Sequence, residues 1–261
     1  MHISNRQIRS IRLSFLFTLL IIAYGFLSYN YFGGWYDSSI GTIAIVIISY
    51  LIWKNNFLSR VGLKLNPKKI IKTATILSIL LVANYLIIKY LANKQNIQIS
   101  LLNWRSYYHI FFYTLNEEII VGALPLFALA RKKSIGPVAA IIGLAVIFSL
   151  MHFVFYKWVF DDRGNIELTT LITLFFIGIV RNDLIIRTGH IGYSWALHFS
   201  WVAIMFGTFQ FYSGSESGLS ERTRFNTYLG STEMLIISCL LVGMVMASWI
   251  FNVKKNPGTG R

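Results

Sequence analysis

The chain has 261 residues, of which 55% are hydrophobic and only 13% are charged, and its mean hydropathy is +0.59. The charged fraction is about half that of an ordinary soluble domain, and apolar runs of about 18–22 residues follow one another, each long enough to cross a bilayer. This composition excludes a soluble globular protein and predicts an integral, multi-pass, all-α membrane protein. The single cysteine, Cys239, excludes a disulfide framework and a cysteine-based metal site within one chain.

The net charge of +14 would suggest nucleic acid as a partner of a soluble protein, but membrane topology explains it better. With the N-terminus inside, most of the 24 Lys and Arg residues fall in inner segments and most acidic residues fall in outer loops. This distribution predicts that both termini are cytoplasmic. We therefore expect contact with membrane lipid, no nucleic acid, and residence in the cytoplasmic membrane if the protein is bacterial.

The apolar runs predict about eight transmembrane helices in a single membrane domain, residues 1–261. The first run follows a basic start, as in a signal peptide, but it is too long and no small-residue cleavage site follows it. We interpret it as a retained helix. The predicted spans are 11–30, 38–53, 73–92, 106–130, 135–157, 168–186, 190–212 and 233–252.

Few ionisable residues lie at membrane depth, and they are Glu117 and Glu118 in the fourth predicted span, His152 in the fifth and His198 in the seventh. Inserting a charge near a helix centre costs roughly 2.5–3.5 kcal/mol, so such residues indicate a functional site. Two other histidines, His109 and His190, lie near span ends, where we expect them to be solvated.

The two glutamates stand in the sequence LNEEIIVGALP, residues 115–125. Adjacent helical residues point about 100° apart, so we expect that Glu117 and Glu118 do not both face one narrow site. One would address a reactive centre and the other would tie the helix to a neighbour. Pro125 has no N–H for the carbonyl of Val121, which predicts a kink one turn after the glutamates.

The two intramembrane histidines each have a partner position one turn earlier. In FSLMHF, Phe148 and His152 stand at i and i+4, so the phenyl ring can fix the orientation of the imidazole. In GYSWALHF, Ser194 and His198 have the same spacing. Three helices therefore offer polar groups to a common buried cavity.

These residue types support water activation. A carboxylate in an apolar pocket can act as a general base near neutral pH, a histidine can share the proton, and a second histidine can donate to an oxyanion. The same side chains, Glu117, His152 and His198, could instead hold a divalent metal such as zinc. No H-E-x-x-H sequence occurs, so the metal alternative lacks its usual helical spacing.

The order of these groups resembles the CPBP family, which comprises the CAAX proteases and the bacteriocin-processing enzymes also called Abi proteins. That family carries Glu-Glu-x-x-x-Arg on one helix, Phe-x-x-x-His on the next, and His-x-x-x-Asn on a later helix. Glu117-Glu118 matches the first pair, Phe148-x-x-x-His152 matches the second motif, and RTGHIGYSWALHFSW, residues 187–201, leads into the third. The motif-bearing core is residues 106–212.

The resemblance implies an intramembrane endopeptidase that hydrolyses a peptide bond in a membrane-associated protein or peptide. It implies Glu117 as the general base, His152 as its partner and His198 as an oxyanion donor. Glu118 and Phe148 would support them, with no cofactor required.

Two positions depart from the family pattern, because Gly122 replaces the Arg and Val202 replaces the Asn. Losing one oxyanion donor can cost on the order of 10²–10³ in rate. For Glu118, the missing counter-ion could be replaced by Arg181, by Arg105 or by a protonated state of the carboxyl group itself. For the oxyanion, the candidate donors are Asn116, Asn182 and Ser194. Two alternatives stay open: a non-catalytic relative with a binding or immunity role, and a small transporter.

Overall fold

A computed structural model describes residues 37–97, 104–130, 136–155, 167–207 and 226–255, and every regular element in these ranges is helical. The all-α prediction is therefore confirmed for the described residues, while the predicted span 11–30 lies outside them. The helices are α1 (Asp37–Trp53), α2 (Phe57–Arg60), α3 (Pro67–Lys94), α4 (Trp104–Glu117), α5 (Leu124–Ala130), α6 (Pro137–Phe155), α7 (Leu168–Thr188), α8 (Gly192–Gly207) and α9 (Thr232–Lys255).

Two shorter helical segments join neighbouring helices of this list. A 3₁₀ turn, Lys54–Asn56, joins α1 to α2, and a π-helical segment, Glu118–Ala123, joins α4 to α5. Of the two, the π-helical segment bears on function, because its first residue is one of the two intramembrane glutamates.

Five stretches among the described residues are long and apolar enough to cross a membrane, and α6 contributes a shorter apolar stretch, Pro137–His152. Large apolar side chains such as Ile71, Ile79 and Leu86 project outward from α3, as expected where lipid replaces water. The protein is an integral membrane protein. The five stretches are Ser38–Arg60, Pro67–Lys94, Trp104–Ala130, Leu168–Thr188 and Thr232–Phe251.

The described residues form two compact units. The first unit runs to Ala140 and resumes at Leu184, and the second runs from Ile141 to Asp183 and resumes after residue 219. In the first unit, α8 packs against α3 and α4, and α4 also packs against α1. The central position of α8 explains why most of its residues are buried.

Polar contacts fix the helices of the first unit. Asn66 caps α3 by accepting from the backbone N–H of Lys69 at 2.8 Å, and Pro67 occupies the first helical position. Asn84 of α3 donates to the Ser200 hydroxyl of α8 at 2.8 Å. Asn116 of α4 donates to the Ser38 carbonyl of α1 at 2.8 Å. In a membrane the hydrophobic effect does not drive helices together, because lipid tails are as apolar as the side chains. Polar pairs of this kind therefore help to hold the helices against one another.

In the second unit, helices are held by small residues and by buried polar contacts. Gly178 of α7 approaches α6 so closely that a methyl group there would lie 3.1 Å from the Cα atom of Ala145. The next turn of α7 carries Asn182, which donates to the Ile141 carbonyl at 3.0 Å. Asp183 accepts from the indole N–H of Trp249 on α9 at 2.7 Å.

Candidate active site

The two glutamates lie where the helix changes its winding. Glu117 ends α4, Glu118 begins the π-helical segment, and Pro125 follows one residue into α5. In α-helical winding the proline ring would clash with the carbonyl of Val121. A π-helical turn before the proline relieves that clash and is frequent at functional sites. The predicted break before Pro125 therefore takes the form of a π-helical segment, all of which is buried.

Both glutamates face the same histidine. Glu118 Oε1 lies 3.0 Å from His198 Nδ1, and Glu117 Oε2 lies 3.9 Å from His198 Nε2. Our expectation that adjacent glutamates cannot face one site is therefore wrong. It assumed α-helical geometry, whereas the winding changes between the two residues. We call Glu117, Glu118 and His198 the His198 site.

Burial distinguishes the two carboxylates. Glu118 is fully buried and His198 is only 3% exposed, whereas Glu117 is 14% exposed. Because a carboxylate oxygen accepts, the short contact to Glu118 places a proton on Nδ1 of His198. Its other nitrogen, Nε2, is thereby directed at Glu117. The imidazole also stacks on Trp201, with ring centroids 5.5 Å apart, which limits its rotation.

The turn that contains Gly62 contacts both elements that carry the site. The Gly62 carbonyl accepts from the Ile191 backbone N–H at 2.9 Å, just before α8. A methyl group at Gly62 would lie 3.1 Å from Ala123, which ends the π-helical segment, and 2.8 Å from the Ile191 side chain. Gly62 also has a φ of +76°, a conformation that favours glycine. The close approach therefore requires glycine.

His152 lies in the second unit and has its own set of contacts, the His152 cluster, formed by Phe148, His152 and Arg181. The His152 ring meets the Phe148 ring edge-on at 4.6 Å, which confirms the contact expected from their spacing. His152 Nδ1 lies 2.7 Å from the Phe148 carbonyl, and since a carbonyl only accepts, Nδ1 carries a proton. Arg181, fully buried, places its guanidinium 4.6 Å from the Phe148 ring centre.

The structure also places the residues at which the chain departs from the family pattern. Gly122 is buried inside the π-helical segment, and Val202 is buried in α8. Within the first unit, the contact of Glu118 with His198 supplies a partner that the sequence comparison did not anticipate. The supporting role predicted for Glu118 itself stays a prediction.

The proposed substitutes for the missing oxyanion donor already make hydrogen bonds to backbone carbonyls. Asn116 donates to Ser38 and Asn182 donates to Ile141. Ser194 donates to the carbonyl of Ile191 at 2.9 Å. None of these contacts involves an atom of the His198 site.

The residues of the His198 site do not form a zinc site by themselves. A catalytic zinc takes three protein ligands, and no cluster of three or more His, Cys, Asp or Glu side chains suited to a metal occurs in the part of the chain that the structure describes. Because His198 Nδ1 is hydrogen-bonded to Glu118, the possible metal ligands that face each other are two, His198 Nε2 and Glu117 Oε2. Metal dependence stays a prediction.

His190, which we expected to be solvated, is only 1% exposed. It lies in the turn between α7 and α8, where its Nδ1 accepts from the Gly192 backbone N–H at 3.1 Å. Burial and the nearby Lys69 ammonium lower the pKa of His190 below its usual 6.5. His109 is half-buried, and its Nδ1 lies 3.1 Å from the Ser38 hydroxyl.

Comparison with known proteins gives one match. Residues 99–204 match the family model for Rce1-like proteins, described as type II CAAX prenyl endopeptidase Rce1-like. The matched segment contains Glu117, Glu118, His152 and His198, and it overlaps most of the predicted core, 106–212. No curated protein and no solved structure matches the chain significantly.

Proposed function

We propose that this chain, whose residues 99–204 match the Rce1-like family model of type II CAAX prenyl endopeptidases, is an intramembrane endopeptidase. It would hydrolyse a peptide bond in a membrane-associated protein or peptide, in the cytoplasmic membrane if the protein is bacterial. The observation that carries the proposal is the His198 site, in which Glu117 and Glu118 face the two ring nitrogens of one buried histidine.

In the proposed reaction, Glu117 removes a proton from water. Its Oε2 and His198 Nε2 are 3.9 Å apart, a separation at which one water can hydrogen-bond to both atoms. The Glu117 side chain is 14% exposed, whereas its Oε2 atom is buried, so a water between Oε2 and Nε2 would be shielded from bulk solvent. A carboxylate that abstracts this proton in the transition state contributes about 10²–10⁴ in rate.

Glu118 and His198 form the second part of the proposed reaction. By holding the proton on Nδ1, Glu118 orients His198 as a carboxylate orients the histidine of a hydrolase triad. With the proton passed from Glu117 to Nε2, His198 would donate a hydrogen bond to the oxyanion that forms at the scissile carbonyl. The same proton would then go to the leaving amide nitrogen as the C–N bond breaks and the carbonyl re-forms. This assignment keeps Glu117 as the base and gives Glu118 an orienting role.

His152 is proposed as a further participant, on the strength of the family motif. Its hydrogen bond to the Phe148 carbonyl fixes the proton on Nδ1, so Nε2 is the nitrogen left for chemistry. The Phe148 ring supports that orientation from the side. A divalent metal, if one takes part, would use the same nitrogen.

The test compares Glu117→Gln with Glu167→Gln, an exposed acid near α7 that serves as the matched control. Peptides released from membranes that contain wild type or either variant are identified by mass spectrometry, with and without a chelator. We expect cleavage to be lost only in Glu117→Gln, at unchanged protein abundance. Cleavage that survives in Glu117→Gln would rule out this mechanism, and the chelator arm reports metal dependence.

The same experiment addresses the substrate. Prenylated proteins and unprenylated peptide precursors are both open substrate classes, and the released termini distinguish them. A carboxyl-terminal tripeptide from a prenylated protein indicates the first class, whereas an internal cut in an unmodified peptide indicates the second.

A second candidate, a non-catalytic membrane protein with a binding or immunity role, is favoured by one observation. Val202 stands where the family has a donor, and the hydroxyl and amide groups proposed to replace it donate to backbone carbonyls. This candidate would be favoured if the Glu117→Gln protein released no peptide but still rescued the phenotype of cells that lack the protein as well as wild type does.

A further inference from the structure

Two side chains from different segments, Thr73 and His190, approach Gly192, the first residue of α8. A methyl group added at Gly192 would lie 2.7 Å from Thr73 Oγ1 and 3.1 Å from His190 Nδ1. Thr73 belongs to α3 and His190 to the turn before α8, so two separate segments point polar groups at one position. We call Lys69, Thr73, His190 and Gly192 the His190 site.

Thr73 and His190 each carry one buried polar atom that is unsatisfied. Thr73 is 8% exposed and His190 is 1% exposed, and neither Thr73 Oγ1 nor His190 Nε2 has a hydrogen-bond partner among the described residues. Because Nδ1 of His190 accepts from the Gly192 backbone, the neutral ring carries its proton on Nε2. Both atoms can therefore donate, and a buried donor without an acceptor costs free energy.

The surroundings of these donors are positively charged. Lys69 Nζ lies 3.5 Å from the carbonyl of Thr188, two residues before His190, and its charge helps to lower the pKa of that histidine. Lys72 Nζ lies 5.5 Å from the ring centre of Tyr193. No acidic residue occurs in residues 54–72 or 184–198. The helix dipole of α8 adds positive potential at Gly192.

Buried donors, lysines and a helix N-terminus together select an anion with several acceptor oxygens. We propose that the His190 site binds a phosphate group, with Thr73 Oγ1 and His190 Nε2 donating to its oxygens and Lys69 balancing its charge. The phosphate can come from the headgroup of an anionic phospholipid or from free inorganic phosphate. Phosphate suits the site better than chloride because one group supplies acceptors to donors on two segments.

The test measures binding on the full-length protein in neutral detergent without phosphate. The probes are phosphatidylglycerol, phosphatidylcholine and inorganic phosphate, and retained lipid is counted by native mass spectrometry while thermal unfolding is followed in parallel. We expect phosphatidylglycerol to be retained in preference to phosphatidylcholine. Competition by millimolar phosphate identifies the phosphate group itself as the ligand, whereas retention of lipid without such competition identifies the lipid headgroup; either result supports the site.

Variants distinguish a built site from diffuse surface charge. Thr73→Val keeps the side-chain shape and removes the donor, and Lys69→Gln removes the charge; each should weaken binding about ten-fold. Lys68→Gln, an exposed neighbour on the same helix turn, is the matched control and should bind as wild type does. Equal losses in Lys68→Gln and Lys69→Gln, unchanged binding in Thr73→Val, or no binding of any probe would each overturn the proposal.

A further variant separates this proposal from peptidase activity. Glu117→Gln leaves the His190 site untouched, so this protein should bind phosphatidylglycerol as wild type does even though it cleaves nothing. The unfolding midpoint without ligand shows for each variant that the chain is folded. The binding measurement therefore stands whether or not the protein is an endopeptidase.

Discussion

Two buried histidines at α8, eight residues apart, have opposite electrostatic surroundings. His198 has a carboxylate at each ring nitrogen. His190 accepts a backbone N–H at Nδ1, and its charged neighbour is Lys69. Their exposed fractions, 3% and 1%, are almost equal. Burial alone therefore does not distinguish the two histidines, and the charges brought by neighbouring segments do.

The difference shows how one helix can serve two purposes. The middle of α8 meets the junction of α4 and the π-helical segment, where Glu117 and Glu118 supply negative charge to His198, as the proposed proton transfer requires. The start of α8 meets the N-terminal turn of α3, whose lysines supply positive charge and make His190 suitable for binding an anion. The variants below each change the surroundings of one of these two histidines.

The largest effect is expected from separating Glu118 and His198. Replacing Glu118 with Ala removes the carboxylate that accepts from the buried His198 Nδ1–H at 3.0 Å, and a buried donor that loses its acceptor costs about 1–3 kcal/mol of stability. Glu117→Ala should cost much less stability, because Glu117 is partly exposed and lies 3.9 Å from the ring. Thermal or chemical unfolding of the two purified variants measures the difference.

A double-mutant cycle tests whether the Glu118 effect comes from the pair itself. Adding His198→Asn to Glu118→Ala should cost less than the sum of the two single changes, since the second change removes a partner already lost. If the losses of unfolding free energy were additive, the 3.0 Å contact would contribute little to stability. That result would contradict the proposed orienting role of Glu118.

An intermediate effect is expected at Gly62, which contacts both the π-helical segment and the start of α8. Gly62→Ala introduces an unfavourable φ, which costs on the order of 1 kcal/mol, and a methyl group 2.8 Å from Ile191. Gly189→Ala is the matched control, because Gly189 also has a positive φ of +69° but has nothing within 4 Å. Gly62→Ala should therefore lose more stability than Gly189→Ala, measured as the shift in unfolding midpoint.

The two glycine variants should also differ in activity if the Gly62 turn helps to position the His198 site. We expect slower cleavage in Gly62→Ala at temperatures where the protein is still folded, and near wild-type cleavage in Gly189→Ala. Equal rates would show that the turn stabilises the first unit without positioning its carboxylates.

The sequence predicted most of the helices because long apolar runs carry a strong signal. Seven of the eight predicted spans contain a helix in the described residues, and the remaining span, 11–30, lies outside them. The residues of the His198 site were identified for the same reason, since an ionisable residue inside an apolar run is unusual. The roles assigned to them remain predictions that the mutations above address.

The winding of the π-helical segment could not be predicted from periodicity. Residues 119–124 are all apolar or glycine, so no polar face marks where the helical period changes. Pro125 indicated a disturbance, but not that it would bring Glu117 and Glu118 to one ring. The contact between Glu118 and His198 also joins residues 80 positions apart, which one sequence without homologues does not reveal.

The burial of His190 was missed because its position near a span end suggested solvent. The turn is instead covered by α3, through Thr73 and Lys69, and the glycines at 189 and 192 allow the chain to turn and to approach that helix closely. Gly192, two residues after His190, is a signal that could have been used, because glycines often mark tight packing of backbone against a neighbour.

The smallest effect is expected from the protonation of His190. Its pKa in the folded protein is lowered below the unfolded value of 6.5 by burial and by Lys69, so the unfolded chain takes up a proton at a higher pH than the folded protein does. Stability from this group is therefore fully present above pH 6.5 and is lost as the pH falls toward the folded pKa. His190→Gln removes the titrating group and should flatten this part of the stability profile.

The measurement is the unfolding midpoint of wild type and His190→Gln between pH 7.5 and 5.5, in detergent without phosphate. Lys69→Gln should reduce the wild-type dependence without removing it, because burial, the larger cause, remains. Bound phosphatidylglycerol should also reduce it, since a phosphate beside the ring stabilises the protonated form. A profile that is the same in wild type and His190→Gln would mean that His190 does not stay neutral in the folded protein, and the contrast with His198 would then lie in its hydrogen bonds alone.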